Sequence, residues 1–536
     1  VAAPTRVSRR RFISLGGAVA AGLTGSGIAR GAAGGVRFFG TSAEPPITRD
    51  PFTLGVASGD PWPGSVVLWT RLLPRPDRID DPGLGQRSVD VAWQIATDPS
   101  MRVIERHGVA RAEPAHGHSV HVTADGLRPG REYWYRFRTG SWLSPIGRTK
   151  TAPATDATPA RLDLIAASCQ SWAAGYYTAH RHIAAEHPDV VVFLGDYIYE
   201  RPITATDCAR LLPTDLPPHL ATETDTLERY RAQYAWYRQD PDLQASHRAA
   251  PWVVTWDDHE VQDNYAGFDN VSGLADDRFA ARRAAAYQAY WEHLPLRSRP
   301  PIGPSMTMHR RLDFGTLLLL EVLDTRQFRS RQMSGAGWTA DAPGRRDPGR
   351  TMLGDSQQRW LEAGLRTSPA TWNVIAQQVM LGRIAIESTD GPLHNVDTWD
   401  GYPVAQRRMH DALAATANPV VLTGDLHAGY ALDVTAAIRH DSDRDVTPIA
   451  AEFAATSISS GGDGSDESAT HRRLLRSNPH LHYAKPRRGY LRCRVSPREM
   501  TVDFRTVLRV ERDAHSPVST DRSFVVEAGR RGIHTA

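Results

Sequence analysis

The chain has 536 residues, with 63 basic against 60 acidic side chains and a formal net charge of +3. Hydrophobic residues make up 41% and charged residues 23%, an ordinary globular balance in a chain too long for one compact core. Near-neutrality at this size excludes a nucleic-acid footprint, and only three cysteines exclude a disulfide-built scaffold.

In chain order, "SRRRFISLGGAVAAGLTGSGIA" sets three arginines ahead of a weakly apolar, Gly/Ala-rich stretch too short for a membrane span. No later segment reaches about 18 uninterrupted apolar residues, so no transmembrane anchor is expected. Residues 44–150 read as short strands with turns between them. Tyr133, Tyr135 and Phe137 alternate with Trp134, Arg136 and Arg138, the period of a strand with two unlike faces. This predicts a small immunoglobulin- or fibronectin-like β-sandwich domain. A Pro/Ala/Thr linker follows at 151–160. From 161 to 515 the pattern changes to continuous apolar runs separated by helical stretches, which is the grammar of an α/β domain with strands buried on both faces. Ser459 to Thr470 reads as a mobile glycine-rich loop, and 516–536 as a loosely held C-terminal tail. Of the cysteines, Cys208 and Cys493 leave one bridge open.

The apolar runs end in chemistry-bearing residues: Cys169, Asp196, Asp257, Asp258, Arg326, Gln378, Asp425 and His427. Ligands in α/β sheets sit beyond the carboxyl ends of the strands. One Asp or His there is an ordinary helix cap, but the same device at six strand ends points to a shared site. "FLGDYIYE" adds a geometric condition. Along a strand Asp196 and Tyr199 point to opposite faces, so they converge only if the chain turns after Asp196. A carboxylate and a phenolate on one point suit a hard, highly charged cation.

"GDYIY" resembles the Gly-Asp-x-x-Tyr element of binuclear metallophosphoesterases such as purple acid phosphatases. "DDHE" stands where that superfamily has Gly-Asn-His-Asp/Glu, and "GDLH" where it has Gly-His-x-His. With "ASGDP", "LWTRL", "ASCQ", "TWDDHEV", "LDTRQFR" and "VVLTGDLH", the ordered set from about Phe52 to Arg509 is similar to the alkaline phosphatase D (PhoD-like) family. The resemblance implies a four-layer α/β metallophosphoesterase sandwich and an enzyme hydrolysing phosphate mono- or diesters, phospholipid head groups among them. The rivals are a phospholipase D-type diesterase and a non-catalytic extracellular phosphate- or metal-binding protein. Two departures bear on the metals: Cys169 replaces an Asp ligand, and Gln378 and Asp425 stand in for His ligands. The resemblance then implies a ferric iron held by Cys169, Asp196, Tyr199 and His427. A calcium would share Asp196 and take Asp258 and Asp425, with Asn264 or Gln378 as further oxygen donors. Another calcium would lie near Asp400. His259, following Asp258, is expected to stabilise the transition state or protonate the leaving alkoxide. Arg326 and Arg488 are candidate phosphate clamps, with structural salt bridges as the alternative. Ser8, Arg9, Arg10, Phe12 and Ile13 resemble a twin-arginine export signal over residues 1–43, which implies passage through the twin-arginine translocase to the cell envelope or exterior.

Overall fold

A computed structural model describes residues 46–535 apart from 81–82, 211–215, 271–272, 334–336, 341–343, 387, 390 and 436–446. The arginine-led N-terminal stretch lies outside the described residues. The strand Val190–Leu194 shows how the layers arise, because all five of its residues are buried and its pleat sends them to opposite faces. Val190, Val192 and Leu194 enter a core shared with Leu318, Leu320, Val374, Val420 and Leu422 of a second sheet. Val191 and Phe193 pack instead on Tyr230, Phe279 and Tyr287 of helices Leu227–Arg238 and Asp276–His293. The second sheet repeats the device. Its Ile375 and Val421 face Leu361, Leu365, Met409 and Leu413 of helices Gly354–Thr367 and Pro403–Ala414. The layers run helix, sheet, sheet, helix, which is the expected four-layer α/β sandwich.

Both sheets have parallel centres, so their strands deliver chain to one edge. Leu162–Ala167, Val190–Leu194 and Pro251–Thr255 are parallel neighbours in the first sheet. Leu318–Val322, Trp372–Gln377, Pro419–Thr423 and Pro448–Ala454 are parallel neighbours in the second. The residues following these strands therefore meet at the edge shared by the two sheets.

The N-terminal sandwich is present, with a core of Val66, Leu68, Val91, Ile95, Tyr133, Tyr135 and Phe137. It is more closely joined to the rest than its sequence suggests. The strand Val56–Trp62 pairs in parallel with Pro251–Thr255, so that Val56–Trp62, Ser65–Arg71 and Ser119–Asp125 extend the first sheet to ten strands. Two expectations need correction, and the open question of a bridge is answered. The tail is not loose, because Val518–Glu527 pairs along Glu499–Val507 near the opposite end of the same sheet. The stretch from Ser459 is pinned at its start, where Ser459 Oγ donates to Ser171 O and Ser460 Oγ to Cys169 O, and it leads into the helix Ala469–Ser477. Cys208 and Cys493 are both free: Cys493 is buried in the inter-sheet core, while Cys208 packs against the helical layer on the other face of the first sheet. No helix among the described residues is long and apolar enough to cross a membrane.

Candidate metal centre

Gly195 ends the strand Val190–Leu194 at φ +105°, and Asp196 follows in the left-handed region at +56°. Glycine is required at 195, since a Cβ there would stand 2.5 Å from Asp257 Cβ. The chain thus turns off the strand, as convergence demanded. Tyr199 donates its hydroxyl to Asp196 Oδ2 at 2.9 Å and lies 3.0 Å from His427 Nε2. Tyr197 points elsewhere, its hydroxyl 2.8 Å from His247 Nε2 and accepting from Arg238 at 3.2 Å.

Cys169, Asn264, Asp425 and His427 also have positive φ, at 60°, 55°, 66° and 51°. Each such non-glycine residue costs about 1–3 kcal/mol unless its surroundings over-determine it. Here they do, because the loops brace one another: Cys169 N donates to Gly195 O at 3.0 Å and Gly424 N to Gln378 O at 2.8 Å. The result is three trios whose potential ligand atoms lie within 4.8 Å of one another: Cys169, Asp196 and His427; Asp196, Asp258 and His259; Asp257, Asp258 and Asp425. Asp196 joins the first two trios and Asp258 the last two, so the cluster is continuous.

Two observations fit this cluster to cations. Asp196 Oδ1, Asp257 Oδ2 and Asp258 Oδ1 are buried without a hydrogen-bond partner, a costly state for carboxylate oxygens. The electrostatics agree. Burial pushes Asp196 and Asp425 well above the ordinary carboxylate range, and neighbouring carboxylates add to it. Burial also lifts Asp257 to about 6 against the pull of Arg326. The Cys169 thiol and Tyr199 phenol rise for the same reason, with Asp196 adding to both. Asp258 differs, because Arg326 and His259 outweigh its burial and hold it below the usual range. Burial lowers His427 to about 3, which keeps its imidazole neutral and able to ligate. Acids, a thiol and a phenol that oppose one another's ionisation are what a cation would stabilise all at once.

Around the cluster stand residues that the sequence reading did not single out. Glu260 accepts from Tyr197 N at 2.7 Å, Asp257 N at 2.8 Å and Asp196 N at 3.2 Å, tying together the loops that carry Asp196 and Asp257. Glu200 accepts from His259 Nδ1 at 2.8 Å and from Asp263 N at 3.0 Å. Burial disfavours the charged form of His259, but Asp258, Glu200 and Asp196 outweigh it and raise its pKa well above the usual value.

Other expected roles change. Arg326 is no phosphate clamp: it is fully buried, pairs with Asp257 and Asp397, and lies 3.6 Å from Asp258. It balances the charge of the cluster from behind. Arg488 is likewise buried, donating to Ser457 Oγ, Ser460 O and Pro486 O, and so braces the turn that carries Ser460 against Cys169. Gln378 spends its side-chain oxygen on Thr325 and its nitrogen on Thr255 and Leu323, which leaves it no free donor for a metal. Asn264 donates its backbone N–H to Asp258 Oδ2 at 2.6 Å and its side-chain amide to Asp263, contacts that leave its side-chain oxygen, the expected donor, uncommitted. Asp400 is engaged by Ile384 N and Gln406 Nε2 and stands apart from the trios.

The PhoD-like phosphatase family matches residues 164–504, and the N-terminal domain of PhoD-like phosphatases matches residues 40–153. The chain belongs to the PhoD-like phosphatase family. Alkaline phosphatase D of Bacillus subtilis (strain 168) is 42% identical over 532 residues, which are 98% of this chain and 88% of that relative. The solved structure of PhoD superposes with a TM-score of 0.86 at 43% identity, over 92% of this chain and 93% of the other. Every residue of the three trios falls inside the span matched to the PhoD-like phosphatase family.

Proposed function

We propose that this phosphoric ester hydrolase works through two cations, an iron at Cys169, Asp196, Tyr199 and His427 and a calcium at Asp196, Asp258 and Asp425, with Asp257 beside them. The observation that carries the reading is the set of buried, unpartnered carboxylate oxygens within reach of a thiol, a phenol and an imidazole. Thiolate and imidazole are softer donors that suit iron, whereas an all-carboxylate set suits calcium. Cations so placed supply Lewis acidity at the phosphoryl oxygens and acidify a water.

The chain's own residues do the rest. Glu260 holds the Asp196 and Asp257 loops in register, and Arg326 offsets the carboxylate charge from behind. His259, with Nδ1–H donated to Glu200, keeps its other nitrogen for the proton that the departing alkoxide requires. The substrates are phosphate mono- or diesters, and the protein is exported by the twin-arginine route, on the strength of the motif around Arg9 and Arg10. Turnover of a chromogenic phosphomonoester and of the matching diester, measured on one metal-loaded sample, tests the activity. Hydrolysis of at least one is expected. Turnover of neither would leave only a metal-binding protein, and release of choline from phosphatidylcholine outpacing both would favour the phospholipase D-type reading.

A further inference from the structure

We propose a second ligand site, for amphiphilic organic anions, in a cavity between the two sheets at the edge formed by Arg310–Phe314. The cavity measures about 570 Å³, inside the range of about 300–1,000 Å³ usual for small-molecule sites. No residue of the metal cluster lines it. The strand Arg310–Phe314 is the edge of the second sheet. Arg310 reaches from it to the first sheet, donating to Val254 O at 2.9 Å and pairing with Asp60 at 2.8 Å.

Part of its lining is apolar. Ile302 is 87% and Trp62 49% exposed, with Met306 and Leu312 behind them. A concave grouping of this kind marks a binding surface.

The charge on the walls is one-sided. Arg310 is neutralised by Asp60 and Arg311 by the buried Glu321. Arg297 lies over Trp62 with its guanidinium carbon 4.1 Å from the ring centroid. Its backbone N–H donates to Asp60 Oδ2 at 3.0 Å and its guanidinium to Asp60 O at 2.7 Å, while its buried Nε has no partner. Arg299 stands exposed at the rim with no carboxylate partner among the described residues. Ser298 Oγ and His309 Nδ1 are also buried and unpartnered. Such atoms are seldom left unsatisfied. An uncharged apolar ligand would leave these donors unpaired, an inorganic anion would leave Trp62 and Ile302 wet, and a cation would be repelled. An aryl or alkyl body bearing a carboxylate, sulfonate or phosphate satisfies both walls.

The probe is 1-anilinonaphthalene-8-sulfonate, titrated into the metal-loaded full chain and followed by fluorescence. Saturable one-site binding is expected. Arg299→Glu should weaken it by about 10- to 100-fold, the loss of one charge-assisted contact, while neutral N-phenyl-1-naphthylamine binds that variant as it binds the parent. Thr307→Trp narrows the cavity and should weaken both dyes. Phosphomonoester turnover by both variants should match the parent, which shows that they fold. Absent or unsaturable binding, equal binding of the sulfonate by parent and Arg299→Glu, or equal loss of both dyes in Arg299→Glu would overturn the site.

Discussion

His259 is 8% exposed, with one ring nitrogen committed to Glu200 and the other 3.9 Å from Asp263 Oδ1. If it works as a proton donor, His259→Ala should lower turnover by roughly 10²- to 10⁴-fold, the usual worth of a positioned acid, with iron and calcium contents unchanged. Because its ring also stands within reach of Asp196 and Asp258, metal lost in proportion to activity would make it a ligand instead. Asp196, Asp258, Asp425 and His427 stood out as polar groups at the ends of apolar runs, and His259 only through the resemblance of "DDHE" to its superfamily counterpart; the structure brings all five together. Glu260 and Glu200 did not stand out. Their roles depend on backbone amides and a ring delivered by separate loops, and "DDHE" shows only that an acid follows the histidine. Arg326 and Arg488 could not be assigned from sequence either, since a guanidinium suits a buried carboxylate as well as a phosphate. In the structure Arg326 pairs with Asp257 and Asp397, and Arg488 donates to Ser457 and Ser460.

At the scale of the element, the turn from Gly195 to Tyr199 decides the centre. A strand continuing through it would have presented Tyr197 and Tyr199 to the face opposite Asp196. The positive φ at 195 and 196 swings Tyr199 alone onto Asp196 and His427. Tyr199→Phe should therefore weaken iron retention and shift or bleach the visible band expected of a phenolate on ferric iron. Tyr197→Phe should leave both intact and cost about 1 kcal/mol of stability for its lost hydrogen bond. Absorption spectra and metal analysis of the two variants check this, and bleaching in Tyr197→Phe with colour kept in Tyr199→Phe would reverse the assignment. The central strands were readable because burial on both faces writes an unbroken apolar run, and helices Leu227–Arg238 and Asp276–His293 were legible between them, whereas the four-layer arrangement came from the family resemblance. The fate of the tail was not readable: Val518–Glu527 alternates too weakly to announce a strand, and its pairing with Glu499–Val507 supplies the order.

At the scale of the molecule, the N-terminal sandwich shares a sheet with the catalytic layers, through a parallel pairing between strands far apart in sequence. Local pattern carries no trace of such a pairing, so the sequence reads as two separate domains. The export proposal concerns the whole chain as well. With Arg9 and Arg10 both replaced by Lys, charge is kept and guanidinium geometry lost, so folded precursor should accumulate in the cytoplasm, and undiminished secretion of that variant would count against the twin-arginine route. The central claim is that ester hydrolysis depends on two unlike cations held by one continuous cluster. It is tested most directly by metal analysis of the purified protein, with phosphomonoester turnover followed before and after chelation and on adding back calcium. Iron and calcium should both be present at the start, calcium and turnover should fall together, and calcium alone should restore activity while iron is retained. Full turnover in a sample containing neither metal would contradict the account.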